Sequence, residues 1–193
     1  VFRSLPEFAD ALYFDMGQIS PVDREVLQER HLISHDLAER GSGSSLVLSH
    51  GERIAIMVNE EDHLRFQAFS PGLSLTTLLK KLTAIETAIE EKVEYAFSVR
   101  LGYLTACPSN VGTGLRASVM MHLSGLRIME EADQVIKGLD KLGIAVRGLL
   151  GEGTDAYGNL FQISNQVTLG ESEEDIVGAL MRLVAEVAQH EEN

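Results

Sequence analysis

The sequence predicts an α+β domain in which an antiparallel β-sheet is flanked by helices. Short apolar runs separated by turn residues indicate strands that are joined as hairpins. Longer segments, with apolar residues every three or four positions, indicate a few amphipathic helices. The chain has 193 residues, of which 45% are hydrophobic and 23% are charged. This composition is typical of a folded domain with a sizeable core.

Strands are predicted wherever an apolar run is bounded by turn residues. Residues 46–48 and 54–58 are expected to form a hairpin around a Ser-His-Gly-Glu turn. Weak alternation over residues 94–106 indicates a strand that leads into a loop at residues 107–114. Further strands are expected at residues 116–123, 144–147 and 160–167. Antiparallel pairing with helices over one face is the simplest architecture for these elements.

Helices are predicted from apolar periodicity and from residues that start or stop a helix. They are expected at residues 21–29, after Pro71-Gly72, at residues 130–142 and after Ser172. Ser20 is the expected N-cap of the first helix, which begins at Pro21. Gly143 is a normal stop for the third helix. Ser172 and Asp175 form a capping box at the start of the last helix.

Charge and cysteine content exclude several classes of function. The formal net charge of −13 leaves no basic surface for nucleic acid and favours cationic ligands or basic partner proteins. Cys107 is the single cysteine, so no disulfide can form within the chain, and we expect a cytoplasmic protein. No apolar run is long enough to span a bilayer, so no membrane partner is expected.

The most informative stretch is the charged run Asn-Glu-Glu-Asp-His-Leu-Arg at residues 59–65, between two apolar runs. Charges beside buried segments are costly unless they are paired or bind a ligand. An acidic run by itself is more often a solvated turn. His63 could ligate a metal beside Asp62, but no second set of ligands has suitable spacing, so we expect no metal held by side chains.

Other segments are ambiguous when each is taken alone. Cys107 is followed by Pro108 and a Gly-x-Gly turn, yet a lone cysteine is most often a small buried residue. Arg116 and Arg147 could each be a surface salt-bridge partner. The chain lacks Gly-x-x-x-x-Gly-Lys-Ser/Thr, which excludes a Walker-type nucleotide site.

Three segments in this order are more specific together. They are residues 59–65, Cys-Pro-Ser-Asn-Val-Gly-Thr-Gly-Leu-Arg at 107–116 and Arg-Gly-Leu-Leu-Gly-Glu-Gly at 147–153. This set resembles the ATP:guanidino phosphotransferases, the family of creatine kinase and arginine kinase. Residues 31–34, 57–63, 101–105 and 162–170 are most similar to its bacterial protein arginine kinase branch. Over residues 21–188, the resemblance implies the glutamine-synthetase-like catalytic domain of that family.

The resemblance implies transfer of the γ-phosphate of ATP to a guanidinium group. A guanidinium has a pKa above about 12, so it must lose a proton before a nitrogen can attack phosphorus. Carboxylates bind its N–H groups bidentately and can accept that proton. By matching the family's motifs, Glu61 is the principal base and orienter, and Glu152 is the second clamp. Cys107 matches the family's thiolate near the guanidinium, with an electrostatic role.

The donor side of this reaction requires positive charge around the triphosphate. The resemblance implies that Arg65, Arg116 and Arg147 hold phosphate oxygens and stabilise the migrating phosphoryl group. Mg²⁺ is expected to be carried on the phosphates of ATP, with its waters toward Glu60 or Asp62 rather than in a protein cage.

The sequence also departs from the family's pattern. The arginine-rich segment Ser-Ser-Arg-x-Arg is absent, since Arg3 is the only Lys or Arg in residues 1–20. We therefore expect a partial lead-in at residues 1–20 and an incomplete catalytic domain at 21–193, without the usual C-terminal region and with weak or no activity. Met120 and Gln162 replace a histidine and an aspartate of creatine and arginine kinases, which fits the protein arginine kinase branch better.

Phosphorylation of arginine residues in proteins is therefore the leading functional hypothesis. The expected partners are arginine-bearing substrate proteins and ATP or ADP, with a homodimer as a further candidate. One alternative is a kinase of small guanidines such as free arginine or creatine. The other is a non-catalytic module that binds nucleotide or arginine-bearing proteins.

Overall fold

The computed structural model describes residues 1–148 and 157–192, and the chain divides into two compact units, residues 1–96 and 97–193. Each unit contains antiparallel strands and helices. The predicted α+β class with antiparallel sheets flanked by helices is confirmed. Among the residues described, no helix combines the length and the apolar character needed to cross a membrane.

A four-stranded antiparallel sheet forms the first unit, in the order β1-β2-β3-β4. Its strands are β1 (Leu12–Asp15), β2 (Ser45–Leu48), β3 (Ile54–Val58) and β4 (Leu64–Ala68). The hairpin of β2 and β3 is confirmed, with Val47 opposite Ile56. β1 was missed because it lies at the sheet edge with a largely exposed surface, so its residues show no apolar alternation.

Three helices accompany this sheet: α1 (Pro21–Glu29), α2 (His35–Glu39) and α3 (Leu75–Glu90). The predicted start of α1 is confirmed, since the Asp23 N–H donates to Ser20 Oγ at 3.1 Å. α2 has a serine N-cap of the same kind, Ser34, but it is too short to show a helical period.

Helices cover both faces of the first sheet, so the expectation that they lie over one face is wrong for this unit. Leu46 of β2 and Met57 of β3 pack in a core with α1 and α2, through residues that include Leu27 and Leu37. On the opposite face, residues of β2 and β3 pack with Ile85 and Ile89 of α3. These residues are Val47, Ile54 and Ile56. A continuous apolar run fits a strand that is buried on both faces.

Two small sheets are present in the part of the second unit that the structure describes. The first pairs β5 (Phe97–Ser98) with β6 (Gly102–Tyr103), and the second contains β7 (Ser118–His122), β8 (Ile144–Gly148) and β9 (Leu160–Asn165) in the order β7-β9-β8. The helices are α4 (Ser124–Ile128), α5 (Ala132–Lys141) and α6 (Glu173–Glu192). A single strand over residues 94–106 is wrong, because the chain reverses between Ser98 and Gly102, which pair with each other as residues of β5 and β6.

Most of the remaining predictions for this unit hold, with shifts of a few residues at element ends. The helix predicted at residues 130–142 is α5, followed by Gly143 at φ +75°. Ser172 is confirmed as the N-cap of α6, since the Asp175 N–H donates to Ser172 Oγ at 3.1 Å, but the Asp175 carboxylate accepts from the Ser172 hydroxyl at 2.7 Å and so does not complete the predicted capping box. The boundary expected at residue 20 stays a prediction, although β1 and its pairing with β2 show residues 12–15 to be part of the first sheet.

Candidate active site

The charged run of the sequence forms the loop between β3 and β4, at residues 59–63. The Asn59 N–H donates to the His63 carbonyl oxygen at 3.0 Å, which closes the loop at its base. Asn59 Nδ2 donates to the Gly43 carbonyl oxygen at 2.7 Å. Asn59 Oδ1 lies 3.2 Å from His63 Nδ1. The loop is therefore held by its own first and last residues and by the chain at Gly43.

Glu60 is a buried carboxylate within this loop, with 3% of the residue exposed. Its Oε2 accepts a hydrogen bond from the Glu61 N–H at 2.9 Å, and its Oε1 accepts one from Arg65 Nη1 at 3.0 Å. The Ser34 hydroxyl, at the start of α2, lies near enough to this carboxylate to help lower its pKa. Both oxygens of Glu60 thus have partners in the protein, which leaves Asp62 the better candidate of the two residues expected to face the waters of Mg²⁺.

The ionised form of Glu60 is stabilised by these contacts. Burial alone would raise the pKa of the Glu60 carboxyl, but the hydrogen bond from Glu61, the nearby Ser34 hydroxyl, and the charge and hydrogen bond of Arg65 lower it below its ordinary value. Glu60 therefore remains a carboxylate at neutral pH. It acts as an anchor for Glu61 and Arg65, which both follow it in the sequence.

Glu61 and Arg65 are brought together by this anchor in the first unit. The Glu61 side chain is exposed, while its backbone N–H is fixed by Glu60. Arg65 lies in β4, and 47% of its side chain is exposed although one end of its guanidinium bonds to Glu60. An exposed carboxylate and an exposed guanidinium thus project from the same hairpin, and Asp62 lies half-buried between them in sequence.

Cys107 is a free, half-buried cysteine in the second unit. Its Sγ lies 3.0 Å from Ser109 Oγ, and its carbonyl oxygen accepts a hydrogen bond from Thr105 Oγ1 at 2.7 Å. A short 3₁₀ helix, Pro108–Asn110, begins directly after it. These contacts fix the backbone on both sides of the thiol.

The Gly-x-Gly turn after Cys107 is a point of close backbone approach rather than merely a flexible turn. At Gly112, where φ is +112°, an added Cβ would lie 2.2 Å from the Thr168 carbonyl oxygen. The next N–H, of Thr113, donates to that same oxygen at 2.8 Å. Thr168 Oγ1 in turn donates to the carbonyl oxygens of Ser109 and Val111. Only glycine fits here, and the loop is fixed to the chain after β9.

Arg116 is exposed and is held from the side of β9. Its Nη2 donates to Ser164 Oγ at 3.3 Å. The neighbouring backbone is fixed by the buried amide of Asn165, whose Oδ1 accepts from the Ala117 N–H at 2.7 Å and whose Nδ2 donates to the Leu115 carbonyl oxygen at 2.9 Å. Ser164 and Asn165 thus set the direction of this arginine.

Arg147 lies on the same face of the three-stranded sheet as Ser164. It is opposite Gln162 in the pairing of β8 with β9, and Gln162 is opposite Met120 in the pairing of β9 with β7. Since alternate residues of a strand share a face, Gln162 and Ser164 point the same way. This face is polar and partly exposed to solvent. Arg147 is one of its residues, and Arg116 is bonded to it through Ser164. The other face contains the buried residues Phe161 and Ile163.

The remaining predicted site residue, Glu152, lies outside the described residues. Sequence reasoning missed Ser34, Ser164 and Asn165 as site residues, although Ser164 and Asn165 lie in a segment that supported the family resemblance. Ser34 carried the local signal of a helix N-cap, but its position near Glu60 is visible only in the folded chain. Among the residues described, no group of three His, Cys, Asp or Glu side chains could hold a metal ion.

These observations define a class of protein with two units, each built on antiparallel strands. The first unit presents a carboxylate and an arginine on one hairpin, and the second presents two arginines on one face of a sheet. Over residues 1–193 the sequence matches the family described as ATP:guanido phosphotransferase, C-terminal catalytic domain. The chain belongs to this family.

Two relatives resemble the chain closely in sequence. A protein-arginine kinase of Geobacillus sp. is 51% identical over 176 residues, which is 91% of this chain and 49% of that protein. A protein-arginine kinase of Bacillus velezensis is 48% identical over 189 residues, which is 98% of this chain and 52% of that protein. The chain thus spans about half the length of the curated relatives it matches.

Solved structures of the family have a similar fold. The duplicated taurocyamine kinase of Schistosoma mansoni, solved with bound transition state analog components, matches 99% of this chain and 28% of that chain, with a TM-score of 0.85 and 27% identity. Lombricine kinase matches 99% of this chain and 56% of that chain, with a TM-score of 0.84 and 26% identity.

Proposed function

We propose that the protein containing this chain transfers the γ-phosphate of ATP to the guanidinium groups of arginine residues in proteins. The observation that carries this proposal is the hairpin on which buried Glu60 anchors both Glu61 and Arg65. Such a hairpin offers one carboxylate to a cationic acceptor and one arginine to an anionic donor. Membership of the family and about 50% identity to proteins named protein-arginine kinase support the same reaction.

On the acceptor side, Glu61 binds two N–H groups of the substrate guanidinium. The exposed carboxylate fixes the plane of the guanidinium and aims one nitrogen at phosphorus. It also takes the proton that this nitrogen must lose. Cys107 contributes negative electrostatic potential beside the guanidinium, and Glu152 is a second clamp.

On the donor side, Arg65, Arg116 and Arg147 bind phosphate oxygens. The nitrogen attacks the γ-phosphorus, a nitrogen–phosphorus bond forms, and the bond from that phosphorus to the bridging oxygen of ADP breaks. The proton passes to Glu61, and ADP leaves with the electron pair of the broken bond. Arginines suit this role because charge spreads over the phosphoryl oxygens during transfer.

Mg²⁺ fits this arrangement as an ion carried by the nucleotide. Both oxygens of Glu60 are used within the protein, and the described residues contain no three-residue cage for a metal. Mg²⁺ usually keeps several waters and binds through substrate phosphates. When bound, it would neutralise phosphate charge, and Asp62 is the residue proposed to contact its waters.

Three further expectations remain part of this proposal. They are a cytoplasmic location, ATP and arginine-bearing proteins as binding partners, and assembly as a homodimer. The weak activity expected of the 193-residue chain taken alone is likewise a prediction.

The choice of acceptor is tested with the full-length protein, MgATP and an arginine-rich protein. The matched control is the same substrate protein with its arginines replaced by lysines, and free arginine and creatine are offered in parallel. Mass spectrometry at neutral pH is expected to find phosphate on arginine side chains, little on the lysine version, and slower transfer to the small guanidines. Transfer to free guanidines alone would establish a small-guanidine kinase, and binding without transfer would establish a binding module.

A further inference from the structure

Thr168 is a buried residue in the chain that follows β9, with 8% of the residue exposed. Its Oγ1 lies 2.9 Å from the Ser109 carbonyl oxygen and 2.8 Å from the Val111 carbonyl oxygen. A hydroxyl has a single hydrogen, so these two acceptors share it in a three-centre bond. One buried side chain thus holds the loop that begins at Cys107.

The second half of this loop is held by backbone contacts on two sides. The Thr168 carbonyl oxygen accepts hydrogen bonds from the Thr113 N–H at 2.8 Å and from Thr113 Oγ1 at 3.2 Å. On the other side, the Tyr103 N–H donates to the Gly112 carbonyl oxygen at 2.8 Å, and the Gly112 N–H donates to the Tyr103 carbonyl oxygen at 3.2 Å. A change of the Thr168 side chain leaves all of these backbone bonds in place.

The first half of the loop is the short 3₁₀ helix Pro108–Asn110, which has Cys107 as its N-cap residue. The Asn110 N–H donates to the Cys107 carbonyl oxygen at 3.0 Å. Ser109 is the middle residue of this helix, and its Oγ lies 3.0 Å from Cys107 Sγ. Since the Ser109 carbonyl is bonded to Thr168, the threonine hydroxyl fixes the helix from which the thiol projects.

We propose that Thr168 is a positioning residue for the acceptor side of phosphoryl transfer, because its hydroxyl fixes the loop that places the Cys107 thiol beside the substrate guanidinium. The inference rests on the proposed function. Alignment of the reacting groups controls the rate, so a loop that shifts lowers turnover. Arg116 is held separately, through Ser164, so nucleotide binding should not depend on this hydroxyl.

Two substitutions of Thr168 and one control isolate the hydroxyl. Thr168→Val keeps the branched shape of the side chain and the backbone bond to Thr113 but removes the donor. Thr168→Ser keeps the donor. The control is Thr83→Val in α3, which removes another threonine hydroxyl that donates to a backbone carbonyl, that of Leu79 at 3.0 Å. Thr83 lies on an exposed part of the first unit, away from the Cys107 loop in sequence.

Hydrogen exchange in the full-length protein without substrate tests the structural part of the inference. Peptides that span residues 107–114 are followed by mass spectrometry. Thr168→Val is expected to speed exchange of their amides roughly 3- to 10-fold, which corresponds to the loss of one neutral hydrogen bond. Thr168→Ser and Thr83→Val should exchange like the wild type in this segment.

Kinetics with MgATP and an arginine-rich protein test the functional part. Thr168→Val is expected to lower kcat roughly 10-fold, since a small displacement of a reacting group can have an effect of this size. ADP affinity should stay near that of the wild type, and Thr168→Ser should restore turnover. In a Cys107→Ala background, Thr168→Val should lower kcat little further, because the group that it positions is gone. A general loss of stability would lower kcat equally in both backgrounds.

Wild-type exchange of the loop in Thr168→Val would overturn the inference. Wild-type turnover in that variant, or an equal loss of kcat with and without Cys107, would do the same. If the wild-type protein phosphorylated no guanidine at all, the proposed function would fail, and the exchange rates would still decide whether the Thr168 hydroxyl fixes the loop.

Discussion

Arg65 Nη1 donates a hydrogen bond to Glu60 Oε1 at 3.0 Å, and this bond joins a half-exposed guanidinium to a carboxylate whose side chain is 1% exposed. A buried charge without a partner is strongly unfavourable, so the pair explains how an acidic loop can lie between two buried strands. Because the other oxygen of Glu60 binds the Glu61 N–H, the same carboxylate also orders the exposed residue next to it.

Removal of Arg65 should therefore leave Glu60 uncompensated. Arg65→Leu is expected to lower the free energy of unfolding by roughly 1–3 kcal/mol at pH 7, the cost of an unpaired buried acceptor. The pKa of Glu60 is lowered in the folded state, so the contribution of the pair is present above the ordinary pKa of a glutamate and is lost as the pH falls through the folded value. Urea unfolding at pH 7 and in acid measures both effects.

The control for Arg65→Leu is the same substitution in a Glu60→Gln background. In that background a neutral amide replaces the carboxylate, so Arg65→Leu should lower the free energy of unfolding much less. An equal loss in both backgrounds would show that the two side chains do not interact energetically.

Arg116 and Arg147 should bind the phosphates of the nucleotide from one face of the β7-β9-β8 sheet. Replacement of either by Ala is expected to weaken ADP binding roughly 10- to 100-fold, the range for loss of a charged hydrogen bond. Lys should restore binding poorly because an ammonium lacks the planar fork of a guanidinium. Calorimetric titration of ADP measures this, with Arg182→Ala on α6 as the control. Unchanged ADP affinity in both Ala variants would show that the two arginines do not bind phosphate.

Gly112 should tolerate no side chain, whereas Gly114 should tolerate one at moderate cost. Both have a positive φ, but an added Cβ meets the Thr168 carbonyl oxygen at 2.2 Å from Gly112 and nothing closer than 3.8 Å from Gly114. Gly114→Ala is expected to cost about 1–2 kcal/mol for the left-handed backbone. Gly112→Ala should cost roughly 1–3 kcal/mol more, because the backbones must separate. Equal thermal shifts in the two variants would refute this close approach.

Glu191 links the end of α6 to the start of α4. Its carboxylate accepts from the Gly125 N–H at 2.6 Å and from the Leu126 N–H at 2.9 Å. Partial burial raises the pKa of Glu191, but these hydrogen bonds, that of Ser124 and the nearby His122 lower it overall. The link should therefore stabilise the fold above the ordinary pKa of a glutamate and weaken as the pH falls through the folded value.

The variant that tests this link is Glu191→Ala, with Glu192→Ala as its exposed neighbour and control. Glu191→Ala should lower stability at pH 7 by roughly 0.5–2 kcal/mol, as for loss of a helix cap. Thermal melts at pH 7 and in acid should show the difference between the two variants shrinking with acidity. A difference that persists unchanged in acid would assign the effect to packing rather than to the carboxylate.

Local sequence signals predicted the elements that depend on local physics. A serine followed by proline favours the start of a helix, as at Ser20 and Pro21, and the apolar run Ile54–Val58, rich in β-branched residues, favours a strand. β1 and α2 were not predicted because an exposed edge strand and a very short helix have no period to detect. Burial of both faces of β2 and β3 depends on which helices return to them, and local patterns do not contain this.

In the candidate site, the sequence predicted individual residues but not the contacts between them. Glu61 and Arg65 were found because they belong to a charged run with a family pattern. The role of Glu60 as an anchor was not found, because it depends on which donors the folded hairpin brings to its two carboxylate oxygens. Nor could spacing show that Arg116 and Arg147 share a sheet face, since this follows from the register of β9 with both of its neighbours.

The measurement that tests the account most directly is the rate of phosphoryl transfer to protein arginine by Glu61→Gln in the full-length protein, with ADP affinity measured alongside. Gln keeps the shape of the side chain but can no longer accept the proton, so transfer should fall about 10²- to 10⁴-fold. ADP affinity should stay near that of the wild type, as it should in the control Glu91→Gln, which should also keep its transfer rate. Near wild-type transfer by Glu61→Gln would contradict the assignment of Glu61 as the base.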